Sequence, residues 1–173
     1  SINTSLRFRS TYWTESRDIE AVKKPQVGVG VARNFGEIES EITGPTFVKI
    51  WDTPNTDYSE RMKHVIEPWV SFRRVSAIDN FDSIVRLEGI DSIVGGITQI
   101  RYGLNNRLYA RGGSLGDVAR EILTVSMTQS YYTDARAAQY DRRFSTSFNN
   151  TFDFTKPSKL SPVSLMVRTE ASD

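Results

Sequence analysis

The chain has 173 residues, 38% of them hydrophobic, with 22 lysines and arginines against 21 acids for a formal net charge of +1, and no cysteine. That length suits one domain, the charge balance argues against a basic nucleic-acid surface, and the missing cysteine removes disulfides, thiolate metal sites and a cysteine nucleophile. No stretch reaches the ~20 consecutive apolar residues of a membrane helix, and Ser1-Ile2-Asn3-Thr4 is no signal region, but a membrane barrel stays open because its strands alternate.

A periodicity of two dominates, and in chain order it predicts an antiparallel meander of about eight strands. The first covers residues 6–12 and the second 27–33, where Gly28-Val29-Gly30 permits close strand approach or curvature and lacks the spacing of a nucleotide loop. Asn34-Phe35-Gly36 then has turn chemistry. Residues 38–51 keep Ile38, Ile42, Val48 and Ile50 on one parity and Glu37, Glu39, Glu41 and Lys49 on the other, which predicts one long strand bulged at Gly44-Pro45. After Thr53-Pro54-Asn55 comes a strand over 64–73, followed by an acidic stretch over 77–96 that reads as a large surface loop.

Residues 99–111 set Ile100, Tyr102, Leu104 and Leu108 against Gln99, Arg101, Asn105, Arg107 and Arg111. Gly112-Gly113-Ser114 leads into a strand over 122–132. The sharpest alternation is 143–154, with Phe144, Phe148, Phe152 and Phe154 on one side and Arg143, Ser145, Asn149 and Asp153 on the other. Lys156-Pro157-Ser158 precedes the last strand, over 160–168. The connections do not alternate cleanly between short and long at this level, so the strands stay unoriented.

A soluble β-sandwich also alternates. Two details favour a membrane barrel: aromatic residues gather near strand ends (Tyr12, Trp13, Trp51, Trp69, Tyr109, Tyr131, Tyr132), and the opposite face is charged. The strands are also long, many near the ~9–11 residues that cross a bilayer when tilted.

The segment His64-Val65-Ile66-Glu67-Pro68 resembles the opening of a barrel strand in the LptD family of outer-membrane lipopolysaccharide-assembly proteins, also called organic solvent tolerance proteins. Similar motifs follow in the family's order: Asn80-Phe81-Asp82, Glu88-Gly89-Ile90-Asp91, Tyr102-Gly103-Leu104-Asn105-Asn106-Arg107-Leu108, and the strand from Leu123 that carries Gln129. The resemblance runs from residue 61 to 132. It implies that 1–173 is a partial outer-membrane barrel, a curved segment of a large transmembrane sheet in a Gram-negative bacterium. The implied role is non-enzymatic: insertion of lipopolysaccharide into the outer leaflet, with a plug lipoprotein, LptE, and a periplasmic Lpt bridge as partners. The terminal Ala171-Ser172-Asp173 lacks a closing aromatic, which fits an internal piece, and the family's jellyroll-to-barrel disulfides have no counterpart here. The alternative is a complete eight-stranded barrel, either a small outer-membrane protein or a soluble lipocalin-like lipid carrier, in which residues 6–12 pair with 160–168.

No catalytic, cofactor or metal residue is assigned. His64, the single histidine, has no serine motif beside it and reads as structural. Asp79, Asp82, Glu88 and Asp91 read as a solvated loop, their spacing matching no calcium loop. The candidate lumen-facing groups are Arg101, Asn105, Arg107, Arg143 and Asp153, whose arginines suit phosphate or paired charges. The family-motif positions are His64, Glu67, Pro68, Phe81, Asp82, Gly89, Asp91 and Gln129.

Overall fold

The computed structural model describes residues 1–54, 59–86, 91–112, 118–140 and 158–170. Alternating residues form seven strands of one antiparallel sheet: β1 (Ile2–Trp13), β4 (Val31–Thr43), β5 (Phe47–Asp52), β6 (Arg61–Val75), β7 (Thr98–Arg111), β8 (Arg120–Tyr132) and β9 (Ser164–Thr169). A separate ribbon pairs β2 (Ser16–Arg17) with β3 (Gln26–Val27). The remaining regular pieces are a 3-10 turn at Phe81–Ser83 and a short helix, α1 (Arg136–Tyr140). The sheet is open. Among the described residues β1 pairs only with β4 and β9 only with β8, so residues 6–12 do not meet 160–168 and no barrel closes.

Several boundaries differ from the sequence reading. The strand expected over 27–33 is broken at Gly28 to Gly30, and Asn34-Phe35-Gly36 is no turn but the interior of β4, where Phe35 pairs with Arg9 and Gly36 with Phe8. Phe35 is buried in the core, and that packing overrides the local turn chemistry. At Gly30 the ring of Tyr12 occupies the space a Cβ would need, so the close neighbour there is a side chain and not the strand expected from this glycine pair. The final strand is shorter than expected, with Leu160 contributing an isolated bridge to Tyr131. The alternating stretch 143–154, with Arg143 and Asp153, lies outside the described residues, as does Gly89; β8 pairs directly with β9.

β4 and β5 form one line along β6, interrupted by a bulge. Thr43 pairs with Trp69 and Phe47 with Ile66, so residues 44–46 face residues 67 and 68. Gly44 N–H closes the gap on the Pro68 carbonyl at 2.8 Å, an acceptor the proline ring leaves available. One extra residue reverses the alternation. Ile38 and Ile42 therefore lie on one face while Val48 and Ile50 lie on the other, and the single parity read across Gly44-Pro45 does not survive the bulge that the same residues predict.

Residues directly opposite in an antiparallel pair share a face. One face carries Arg7, Glu37, Glu39, Glu41, Glu67, Ser71, Arg73, Gln99, Arg101, Asn105 and Arg107; the other carries Leu6, Phe8, Ile38, Ile42, Val70, Phe72, Ile100, Leu104, Leu108, Val125 and Val167. Burial is the reverse of a soluble sheet's. Glu37 and Gln99 are 2% and 3% exposed, whereas Phe72 and Met127, on interior strands, are 41% and 46% exposed.

The connections at the two ends of the sheet also differ. Residues 14–30, 76–97 and 133–163 join strands at one end, and residues 53–60 and 112–119 join them at the other. The core lies at the long-connection end on the polar face. There Ile93, Val94 and Ile97 pack with Phe35, Val75, Tyr132 and Ala137, and Ile78 and Phe81 lie against them. The described residues 76–86 and 91–97 are thus not a solvated loop but a folded cap with buried apolar side chains. Trp69 lies in the middle of β6 opposite Gly103, not near a strand end as the sequence suggests, and the aromatic residues divide between the two faces. Tyr12, Trp51 and Tyr131 lie on the apolar face, while Trp13, Trp69, Tyr109 and Tyr132 lie on the polar one.

Candidate functional site

On the polar face β4, β6 and β7 enclose a hollow of about 460 Å³. Its wall is built by the two-residue alternation itself: β4 contributes Glu39, Glu41 and Thr43, β6 contributes Glu67, Trp69, Ser71 and Arg73, and β7 contributes Gln99, Arg101, Asn105 and Arg107. Most of the charges are paired across strands. Arg73 holds Glu39 at 2.6 Å and Glu37 at 3.6 Å, Arg7 reaches both acids at 3.3 Å, and Arg107 meets Glu67 at 3.1 Å. Glu37 is nearly fully buried, and two guanidiniums flank it.

Arg101 differs. Its Nε is buried without a hydrogen-bond partner, and among the described residues no acid pairs with it. Beside it Trp69 lies over Gly103, where an added Cβ would meet the Trp69 ring at 2.8 Å and the Met127 carbonyl oxygen at 2.6 Å. Gly103 therefore lets the indole lie flat against the sheet, much as aromatic side chains cover strand glycines in sheets generally. A flat ring, a guanidinium without an acid partner and the amide of Asn105 together offer stacking and hydrogen bonds to a polar ligand.

The folded cap lies at the long-connection end of the same face. Arg33, 1% exposed, anchors that cap: its Nη1 donates to the Asp91 carbonyl at 3.0 Å, and its guanidinium stacks 4.8 Å from the Trp13 ring centre and 5.4 Å from that of Phe35. Arg86 stacks between Phe81 and Tyr140, joining cap to α1, and Asn80 donates to the Ala32 carbonyl. At the start of α1, Arg136 donates to Asp134 through Nε at 2.9 Å and Nη2 at 2.8 Å. That side-chain bond holds the Asp134 carboxyl below its usual range and raises Arg136.

The apolar face has its own charge pattern. In the described strands it carries no acid at all. Its charged side chains are Lys49 and Arg120 near the short-connection end and Arg74 at the other, with His64 opposite Lys49. Every strand acid near the hollow belongs to the polar face.

Of the positions singled out in the sequence, Arg101, Asn105 and Arg107 come together in the hollow with Glu67. His64, Pro68 and Gln129 lie on the apolar face, where Gln129 accepts from the Tyr102 hydroxyl and donates to the Ser161 carbonyl at 3.0 Å. Phe81 and Asp82 sit in the 3-10 turn, and Asp91 is a buried residue of the cap itself. Asp79 and Asp82 are exposed, Glu88 lies outside the described residues, and among the described residues no three acids or histidines converge as a metal site. Sequence reasoning missed Arg7, Arg33 and the role of Trp69. The strand parity of Arg7 was visible, but its partner strand was not.

Comparison with known proteins returned no matching family model, no matching curated protein and no matching solved structure.

Proposed function

We propose that this chain is a wall segment of a large outer-membrane β-barrel of the LptD kind, part of the translocon that inserts lipopolysaccharide into the outer leaflet of a Gram-negative bacterium. The observation that carries the reading is the inverted burial: charged side chains sheltered on one face, large apolar ones exposed on the other. A soluble sheet hides its apolar face, whereas a bilayer solvates it and leaves the polar face for an aqueous lumen.

Three further features support it. Charges on the apolar face are confined to its ends and are all basic, as expected where side chains reach lipid phosphates. His64 and Arg74 are ten residues apart, roughly 33 Å of strand at ~3.3 Å per residue, and a tilt of about 45° turns this into a height of roughly 23 Å. That is close to the ~25 Å apolar band of such barrels. Long connections at one end and short ones at the other match their extracellular loops and periplasmic turns. On this reading the folded cap lies toward the cell exterior and the 53–60 and 112–119 turns face the periplasm.

The role is translocation without bond making or breaking. The polar hollow faces the saccharide portion of lipopolysaccharide, and the open edges at β1 and β9 are continued by further strands of a larger barrel. A plug lipoprotein, LptE, and a periplasmic bridge are the partners this role requires. The motif order from His64 to Gln129 is what selects the LptD family over other barrels. A photo-crosslinking residue placed at Trp69 in the parent protein in cells tests this directly. Adducts with lipopolysaccharide at position 69 that disappear when delivery of new lipopolysaccharide is blocked are expected. Absence of lipopolysaccharide adducts from every position in the hollow refutes the proposal.

A further inference from the structure

The apolar face contains a recess that its role as a plain hydrophobic wall does not require. Between β5, β6, β7 and β8, near the short-connection end, Trp51, His64, Asn106, Leu108, Leu123 and Val125 line a depression of about 230 Å³. The register explains its make-up. Lys49, His64, Leu108 and Leu123 form one row across the four strands, and Phe47, Ile66, Asn106 and Val125 form the next row toward the middle of the sheet.

Two polar side chains in this recess have nothing to bond with. Among the described residues neither the His64 imidazole nor the Asn106 amide has a hydrogen-bond partner, while elsewhere on the same face Gln129 is satisfied twice. An unsatisfied polar group in an apolar wall is costly. Both can donate, and the cation beside them, Lys49, stands 6.0 Å from the Trp51 ring centre and opposite His64. Arg120 lies one row further toward the short connections. Among the described residues no acid shares the face, so the local chemistry is hydrogen-bond donors and positive charge above an apolar floor.

We propose that this recess binds one anionic glycerophospholipid from the leaflet that surrounds the short-connection end. The head phosphate meets Lys49, the ester carbonyls accept from His64 and Asn106, and an acyl chain lies over Leu108, Leu123 and Val125. The interfacial part of such a lipid presents acceptors and negative charge, the complement of what the recess offers. Trp51, amphipathic and at the strand end, marks the depth at which headgroups sit. This rests on the bilayer-facing reading of the apolar face, not on lipopolysaccharide transport.

The test is quenching of tryptophan fluorescence by brominated lipids in phosphatidylcholine vesicles carrying the parent protein. The difference from a Trp51→Phe variant isolates the Trp51 signal from the other tryptophans, Trp13 and Trp69 on the other face among them. Brominated phosphatidylglycerol is expected to compete for the Trp51 site about fivefold better than brominated phosphatidylcholine, the factor that corresponds to about 1 kcal/mol per basic side chain at a membrane surface. The double variant Lys49→Gln, His64→Leu should remove the preference while leaving total quenching in place. Equal quenching by both lipids in the unaltered chain overturns the site but leaves the bilayer-facing wall standing. A preference that survives the double variant overturns it too. No quenching by either lipid removes the wall reading and the site together.

Discussion

Replacing Val70 by arginine separates a bilayer-facing wall from a water-facing one. Val70 lies on the apolar face of β6, four residues from Arg74 and six from His64, at roughly 9 and 14 Å of depth once ~3.3 Å per residue is projected through a tilt of about 45°. That is near the middle of the apolar band. Arginine there costs about 2–4 kcal/mol in a transmembrane barrel, which is roughly 30- to 900-fold in the folded population. The same substitution in water, at a side chain already 38% exposed, costs under about 0.5 kcal/mol. The assay is urea titration of the parent protein folded into phosphatidylcholine vesicles, with His64→Arg as a depth control expected to cost about 0–1 kcal/mol. Ser71→Arg, one residue along and on the polar face opposite Glu41, should cost under about 1 kcal/mol. Equal costs at 64 and 70, or folding without lipid into a monomer indifferent to Val70→Arg, would refute the reasoning.

Arg33→Met removes the charged hydrogen bond to the Asp91 carbonyl and two ring contacts, so the cap should loosen by about 2–4 kcal/mol, seen as faster amide exchange over residues 91–97 while β6 and β7 stay protected. Gly103→Ala forces the new Cβ against Trp69 and Met127; a loss of about 1–3 kcal/mol and a shift in tryptophan emission are expected, and unchanged emission would contradict the stacked indole. Because Arg136 depresses the Asp134 carboxyl, their contact contributes fully above the ordinary carboxylate range and is lost as pH falls through the lower folded value. With both groups partly exposed the effect on α1 is under about 1 kcal/mol, and Asp134→Asn should abolish this acid-side change in amide exchange over 134–140.

Where a strand is long and two-faced, the sequence was sufficient. The alternation from Gln99 to Arg111 places Arg101, Asn105 and Arg107 together, and the structure keeps all three on one face. Parity says nothing of neighbours, however, so the Arg7, Glu37, Glu39 and Arg73 network was illegible: it depends on β1 and β6 flanking β4. Asn34-Phe35-Gly36 misled for the opposite reason. Its local turn chemistry is real, but burial of Phe35 against Val75 and Tyr132 decides the conformation. Asp79, Asp82, Glu88 and Asp91 give the cap the sequence of a polar loop, whereas Ile84, Ile93, Val94 and Ile97 are spaced without period and acquire a core only when the strand ends converge. The turn-length contrast became legible once β4 and β5 merged into one line and the ribbon β2–β3 left the sheet.

The bulge at residues 44–46 acts as a phase shift in the code that assigns side chains to faces. Upstream of it odd-numbered residues of β4 face the hollow; downstream, in β5, even-numbered ones share that side. Substitutions within 44–46 leave that assignment intact, whereas loss of a single residue there restores the earlier phase and exchanges the two sides of everything that follows up to Asp52. Lys49 would then turn toward Glu67 and the hollow, and Ile50 outward. This short segment should therefore tolerate changes of residue type far better than changes of length, an asymmetry that a library of substitutions and single deletions across 43–47 would display.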